Sequence, residues 1–160
     1  MTIRDSEFTG NGSCERACAH GIYINNVRLL RVERSRFFAQ MVGHHIKSRA
    51  SRTEIIGNDI ADGPDGTASY LIDIPNGGDV LITGNRMAKG PKSDNPATAI
   101  SLGAEGAKNP SSEIRIEDNN FENQSDRLTA FVDNRTGTEA ILSGNVIGGK
   151  VELLRRGPPT

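Results

Sequence analysis

Asp79-Val-Leu-Ile-Thr-Gly-Asn-Arg-Met87 contains a pattern that the chain repeats, in loosened form, six times. The pattern is an apolar residue, any residue, a Gly or polar residue, an Asn or Ser, any residue, then a large apolar one. It begins at Ile3, Val32, Ile55, Ile82, Ile116 and Leu142, with starts 29, 23, 27, 34 and 26 residues apart. Self-similarity at a period of roughly 20–50 residues marks a stacked repeat protein. Each unit is too short to bury its own apolar face and must lean on its neighbours.

A second motif follows each of the first five copies. It reads His20-Gly-Ile-Tyr-Ile-Asn25, His44-His-Ile-Lys-Ser-Arg49, Tyr70-Leu-Ile-Asp-Ile-Pro75, Thr98-Ala-Ile-Ser-Leu-Gly103 and Thr129-Ala-Phe-Val-Asp-Asn134. Its third residue is large and apolar each time: Ile22, Ile46, Ile72, Ile100 and Phe131. Alternation around that position predicts a strand with one buried face. The spacing leaves room for a further short strand in each unit, and an insertion separates Ile100 from Ile116. Gly, Pro, Asn and Asp recur too often for helices of any length. Short strands in a fixed order along a coil predict an all-β fold, a parallel β-helix of about six rungs spaced about 4.8 Å apart. Right-handedness follows from the general chirality of parallel crossovers. Residues 1–154 are read as a single β-helix domain, with a short tail over 155–160.

The Asn/Ser position is Ser6, Ser35, Asn58, Asn85, Asn119 and Asn145. Asn tolerates left-handed backbone angles, and stacked amides bond from rung to rung, so this column reads as a structural turn.

Composition agrees. The chain has 160 residues with 18 Gly, seven Pro, no Trp and 35% hydrophobic residues. That fraction is low for a globule but sufficient for a core one side chain wide. A net charge of −1 offers no basic field, so nucleic acid is not an expected partner. The longest apolar runs are far shorter than a membrane span. No signal region precedes Thr2, and a first repeat beginning at Ile3 reads as the cut end of a longer chain. Secretion or envelope association would need a leader ahead of that end. Cys14, Cys18 and His20 match no common zinc spacing; the sulfurs form either a local disulfide or two free thiols.

The "apolar-x-Gly/Asp-Asn-x-Phe" unit followed by "Gly-Ile-x-Ile" resembles the repeat of right-handed parallel β-helix proteins of the pectate-lyase-like superfamily. That superfamily holds polysaccharide lyases, hydrolases and uronate epimerases beside viral and phage fibre domains. The resemblance covers Ile3 to about Val151. Gly43-His-His-Ile-Lys-Ser-Arg-Ala50 and Ser69-Tyr-Leu-Ile-Asp-Ile-Pro-Asn-Gly-Gly78 resemble an uncharacterised bacterial branch of it, which brings no activity with it. The repeat encodes the coil, not chemistry.

Candidate chemistry comes from the outward positions of the second motif. With Ile22, Ile46, Ile72 and Ile100 inward, Tyr23, Lys47, Asp73 and Ser101 point out, flanked by Asn25, His45 and Arg49. The turns over 61–67 and 89–97 are expected to wall this patch. Chemistry on an acidic sugar needs a carboxylate clamp, a base and a proton donor. Arg49 suits the first role, Lys47 or His45 the second and Tyr23 the third. Asp73 would orient Lys47, and Asn25 would help to bind. No carboxylate cluster suggests a metal, no carboxylate pair in the aligned columns suggests a glycosidase, and no cofactor is implied. His20 and His44 read as structural. The expected partner is therefore an acidic polysaccharide of the envelope or exterior, bound or modified. The competing reading is a purely structural solenoid, a fibre or assembly segment. An uncovered first rung at Ile3 and Phe8 also predicts a head-to-head homodimer.

Overall fold

The computed structural model describes residues 1–14 and 18–158. The first rung carries β1 (Thr2–Arg4), β2 (Glu7–Thr9) and β3 (Ile22–Ile24). The second has β4 (Leu29–Glu33), β5 (Arg36–Phe38) and β6 (His44–Ser48). The third has β7 (Arg52–Ile56), β8 (Asp59–Ala61) and β9 (Tyr70–Ile74). The fourth has β10 (Asp79–Thr83), β11 (Arg86–Lys89) and β12 (Thr98–Leu102). The fifth has β13 (Ile114–Glu117), β14 (Asn120–Asn123) and β15 (Thr129–Asn134). The sixth has β16 (Ala140–Ser143), β17 (Val146–Gly148) and β18 (Val151–Arg156). Every third strand joins one sheet, giving three sheets of six strands. β18 runs through Arg156, past the boundary expected at 154, and Pro159 of the expected tail lies outside the described residues.

The two motifs set the register. Ile3, Val32, Ile55, Ile82, Ile116 and Leu142 stand opposite one another in the first sheet. Phe8, Phe37, Ile60, Met87, Phe121 and Ile147 do so in the second. In the third sheet Ile22, Ile46, Ile72 and Ile100 align as expected, but the next partner is Val132, not Phe131. The last copy of the motif is displaced by one residue. Thr98 accordingly faces Ala130 rather than Thr129. Phe131 is also buried, because its ring stacks on Phe121 at 5.0 Å.

The Asn column stacks as predicted. Asn58 N–H donates to Asn85 Oδ1 (2.8 Å), Asn85 N–H to Asn119 Oδ1 (3.0 Å) and Asn119 N–H to Asn145 Oδ1 (3.1 Å). Each Nδ2 also reaches a strand carbonyl, as Asn85 does to Ile55 O at 2.9 Å. The left-handed angle, however, belongs to the residue before the amide: Asp5, Arg34, Gly57, Gly84, Asp118 and Gly144 all have φ between 48° and 66°. The amide's job is bonding, and the preceding residue makes the bend.

Candidate functional site

The outward column of the third sheet is Tyr23, Lys47, Asp73, Ser101, Asp133 and Arg155. The displaced fifth copy brings Asp133 into this column, where the sequence reading had placed no second carboxylate. Lys47 Nζ lies 2.9 Å from Asp73 Oδ2. Arg49, one residue past the end of the strand that carries Lys47, donates from Nε to the Tyr23 hydroxyl (2.9 Å) and from Nη1 to Asn76 Oδ1 (2.5 Å). Asn25, one residue past the end of β3, is exposed.

His45 does not share this face. It is 1% exposed, and its Nε2 lies 2.8 Å from Asp62 Oδ1. Leu71, its counterpart one rung on, is likewise buried. Successive residues are buried in these strands, His45 with Ile46 and Leu71 with Ile72, so burial does not alternate here. Asp62 in turn accepts from Gly90 N–H (2.9 Å) and faces the fully buried Lys89 ammonium at 3.9 Å. Lys89 donates to Ser69 O (2.5 Å), and burial pulls its pKa down to about 8. These groups lock the base of the turn over 62–69.

His20, His44 and Tyr70 form a stacked ladder with centroids 4.8 and 4.9 Å apart. His44 N–H donates to His20 Nδ1, and Tyr70 N–H donates to His44 Nδ1. Both rings therefore carry their proton on Nε2 and are neutral. Burial above all, with His20 and Lys47 nearby, pushes the His44 pKa down to about 3. The structural reading of these two histidines fits this geometry. His44 Nε2 points at Asp73 Oδ2, 3.3 Å away.

The loop that covers the charged patch is the insertion after Ile100. The turns over 62–69 and 90–97 join each other at the start of the third-sheet strands, with Asp94 N–H on Thr67 O and Lys92 paired to Asp65. Glu105, from the insertion, reaches Lys47 with Oε1 (3.0 Å) and Arg49 with Oε2 (2.6 Å). Burial alone would lower the Lys47 pKa, but Asp73 and Glu105 outweigh it and hold the amine above its ordinary value. Burial pushes Asp73 up, with Lys47 offsetting only part. The Arg49 hydrogen bond, aided by Lys47, holds Glu105 below the usual range. Beyond Arg49 a groove of about 280 Å³ is lined by Asn26, Val27, Arg28, Ser51 and Asn109. Arg28 is exposed there and has no ion-pair partner among the described residues.

Glu105, Asn76 and Arg28 were not singled out from sequence. The length of the insertion was the only signal for Glu105, and nothing in a repeat pattern reports which loop side chain folds back. Cys14 and Cys18 are disulfide-bonded, and no group of three or more metal-ligating side chains occurs among the described residues.

The sequence matches a family model described as right handed beta helix region over residues 1–152, and three parallel sheets of six strands are consistent with it. The chain belongs to the right-handed β-helix family. No curated protein and no solved structure matches it. Membership in the β-helix family accounts for the coil and the apolar columns. It assigns no role to Lys47, Arg49 or Glu105, which lie on the outer face. Those must be judged on their own chemistry.

Proposed function

We propose that this β-helix binds an acidic polysaccharide through the outer face of its third sheet, without modifying it. The observation that carries the reading is the convergence of Lys47 and Arg49 on a single carboxylate, that of Glu105. Asp73 positions one cation; Tyr23 and Asn76 position the other. A carboxylate receptor of that kind is what a uronate requires. Tyr23, half exposed, offers a ring edge for a sugar, and Arg28 supplies a second cation along the groove. The Cys14–Cys18 disulfide fits an oxidising compartment, where such glycans occur.

Binding is favoured over lyase or epimerase chemistry by the state of the two expected bases. Lys47 is held protonated by two carboxylates and so makes a poor base. His45 is buried against Asp62, away from the patch.

The test is a panel of polygalacturonate, alginate and glucuronan, scored at once for binding and for new unsaturated ends. Arg49→Ala is the variant of choice, because Lys47→Ala would strand the buried Asp73 carboxylate and destabilise the fold. Wild type should bind at least one polymer, and Arg49→Ala should bind it about 10-fold more weakly, with loss of one charge-assisted pair. Its melting temperature should fall by only a few degrees, since one buried acceptor, Asn76 Oδ1, loses its Arg49 donor. If no polymer binds, the structural-solenoid reading prevails; unsaturated ends from wild type would show an enzyme.

A further inference from the structure

Glu105 differs from the cations it holds in one respect: its side chain is 47% exposed, whereas those of Lys47 and Arg49 are 11% and 17% exposed. Its backbone is anchored independently, since Glu105 N–H donates to Pro75 O at 3.0 Å. Nearby, Asn109 N–H donates to Asn76 O (2.9 Å), and Asn109 Nδ2 donates to Arg49 O and Ala50 O. The carboxylate can therefore swing into solvent by side-chain rotation, with no movement of the loop. The cations would stay where they are. Lys47 keeps Asp73, and Arg49 keeps Tyr23 and Asn76. What opens is one N–H of Lys47 and the Nη2 of Arg49, aimed at the same point. Charge reinforces the geometry. Lys47 and Arg49 against Asp73 and Glu105 sum to zero, and withdrawing Glu105 leaves a site of +1 that a single carboxylate neutralises.

We infer that Glu105 is a resident stand-in for the ligand's carboxylate, an internal competitor that a uronate displaces when it binds. This rests on the acidic-glycan reading and adds a regulatory element to it. Affinity in the wild type is set by the difference between two carboxylates rather than by the full strength of the clamp. The groove beside Arg49, with Arg28 on its wall, is where the remainder of the displacing sugar would lie. It is small for a ligand pocket, which suits one ring seated at an open surface rather than a buried chain.

The experiment is calorimetry of galacturonate trimer with wild type, Glu105→Ala and Glu105→Gln, beside NMR of the Arg49 Nε–H resonance during acetate titration. Glu105→Ala should bind the trimer about 10-fold more tightly than wild type, as expected when one competing charge-assisted bond is removed. Acetate should shift the Arg49 resonance in Glu105→Ala at concentrations that leave wild type unmoved. Glu105→Gln, which keeps the side chain's shape and loses its charge, should fall between and controls for folding. Equal or weaker trimer binding by Glu105→Ala overturns the inference while leaving the glycan reading intact. A response to acetate with no binding of the trimer or of any polymer in the panel does the reverse: the displaceable clamp stands and the glycan reading falls. If neither ligand engages Glu105→Ala, the clamp is a structural ion pair and the inference is wrong.

Discussion

At the turn between the first and second sheets, Asn58, Asn85 and Asn119 each make the same bonds to the rung beside them. On the outer face of the third sheet no residue type repeats in consecutive rungs: Tyr23, Lys47, Asp73, Ser101, Asp133 and Arg155 follow one another. The bonds differ in kind as well. The ladder joins neighbouring rungs, whereas Glu105 returns across 58 residues of chain to reach Lys47. Both regions stand on the same coil with the same spacing. Repetition is what a solenoid needs to stack. A departure from it that assembles several charges at one point serves no stacking purpose, and that is why the third-sheet face carries the functional proposal.

The comparison can be broken at the ladder first, where the largest effect is expected. Asn85→Ala leaves the buried Asn58 N–H without an acceptor and Ile55 O without the Asn85 donor. At about 1–3 kcal/mol for each orphaned buried group, the loss should be of order 3 kcal/mol in urea unfolding. Tyr23→Ala, on the irregular face and half exposed, should change stability by no more than about 0.5 kcal/mol. Similar costs at the two positions would erase the distinction between scaffold and site.

That distinction also explains what could be read from sequence. The six Ile/Val/Leu starts, the Asn column and Ile22–Ile46–Ile72–Ile100 were legible, because stacking forces like residues into register. Phe131 was misplaced because both it and Val132 are large and apolar, and the pattern could not tell which faces Ile100. His45 was misread because alternation assumes one uncovered face, and this strand is buried at successive positions, with His45 against Asp62. Tyr23, Lys47, Arg49 and Asp73 emerged from counting outward from the isoleucines. Glu105 could not, since an insertion has no register to count from.

A smaller effect, about 2 kcal/mol by pH 5, is expected from the aromatic ladder, which lies between the two regimes. It repeats over three rungs and ends against Asp73. His44 titrates at about 3 in the fold against an ordinary value of 6.5. Below pH 6.5 the unfolded chain binds a proton that the folded ring refuses, so this group's contribution falls as pH drops from 6.5 toward 3. The slope is at most about 1.4 kcal/mol per pH unit. His20, lowered chiefly by burial, acts in the same direction. Asp73, raised by burial, opposes them, because its folded form takes up a proton more readily than the unfolded one. Long-range ¹H–¹⁵N spectra at pH 5 should show His44 neutral with its proton on Nε2. A charged ring at that pH would mean that the ladder is open to solvent and belongs with the irregular face.

The smallest effect lies in the backbone of the repeated turn. Three of its six left-handed positions are glycine, and Asp5, Arg34 and Asp118 hold the same angle at a steric cost. Gly84 isolates that cost, because a Cβ there would meet nothing closer than Gly57 N at 3.9 Å. Gly84→Ala adds strain without a clash and should lose about 1 kcal/mol, near the low end for a left-handed L-residue. Arg34→Gly is the converse. It relieves the angle at φ 48° and gives up an ion pair with Asp5 that is exposed on both sides and contributes little. The added freedom of glycine in the unfolded chain takes back part of the gain, so the denaturation midpoint should rise only slightly. Asp118→Gly should gain less still, since Asp tolerates this angle better than Arg does. If Gly84→Ala is neutral while Arg34→Gly destabilises, the turn is set by its side-chain contacts rather than by its backbone angle. The residue before the amide would then matter as much as the amide itself.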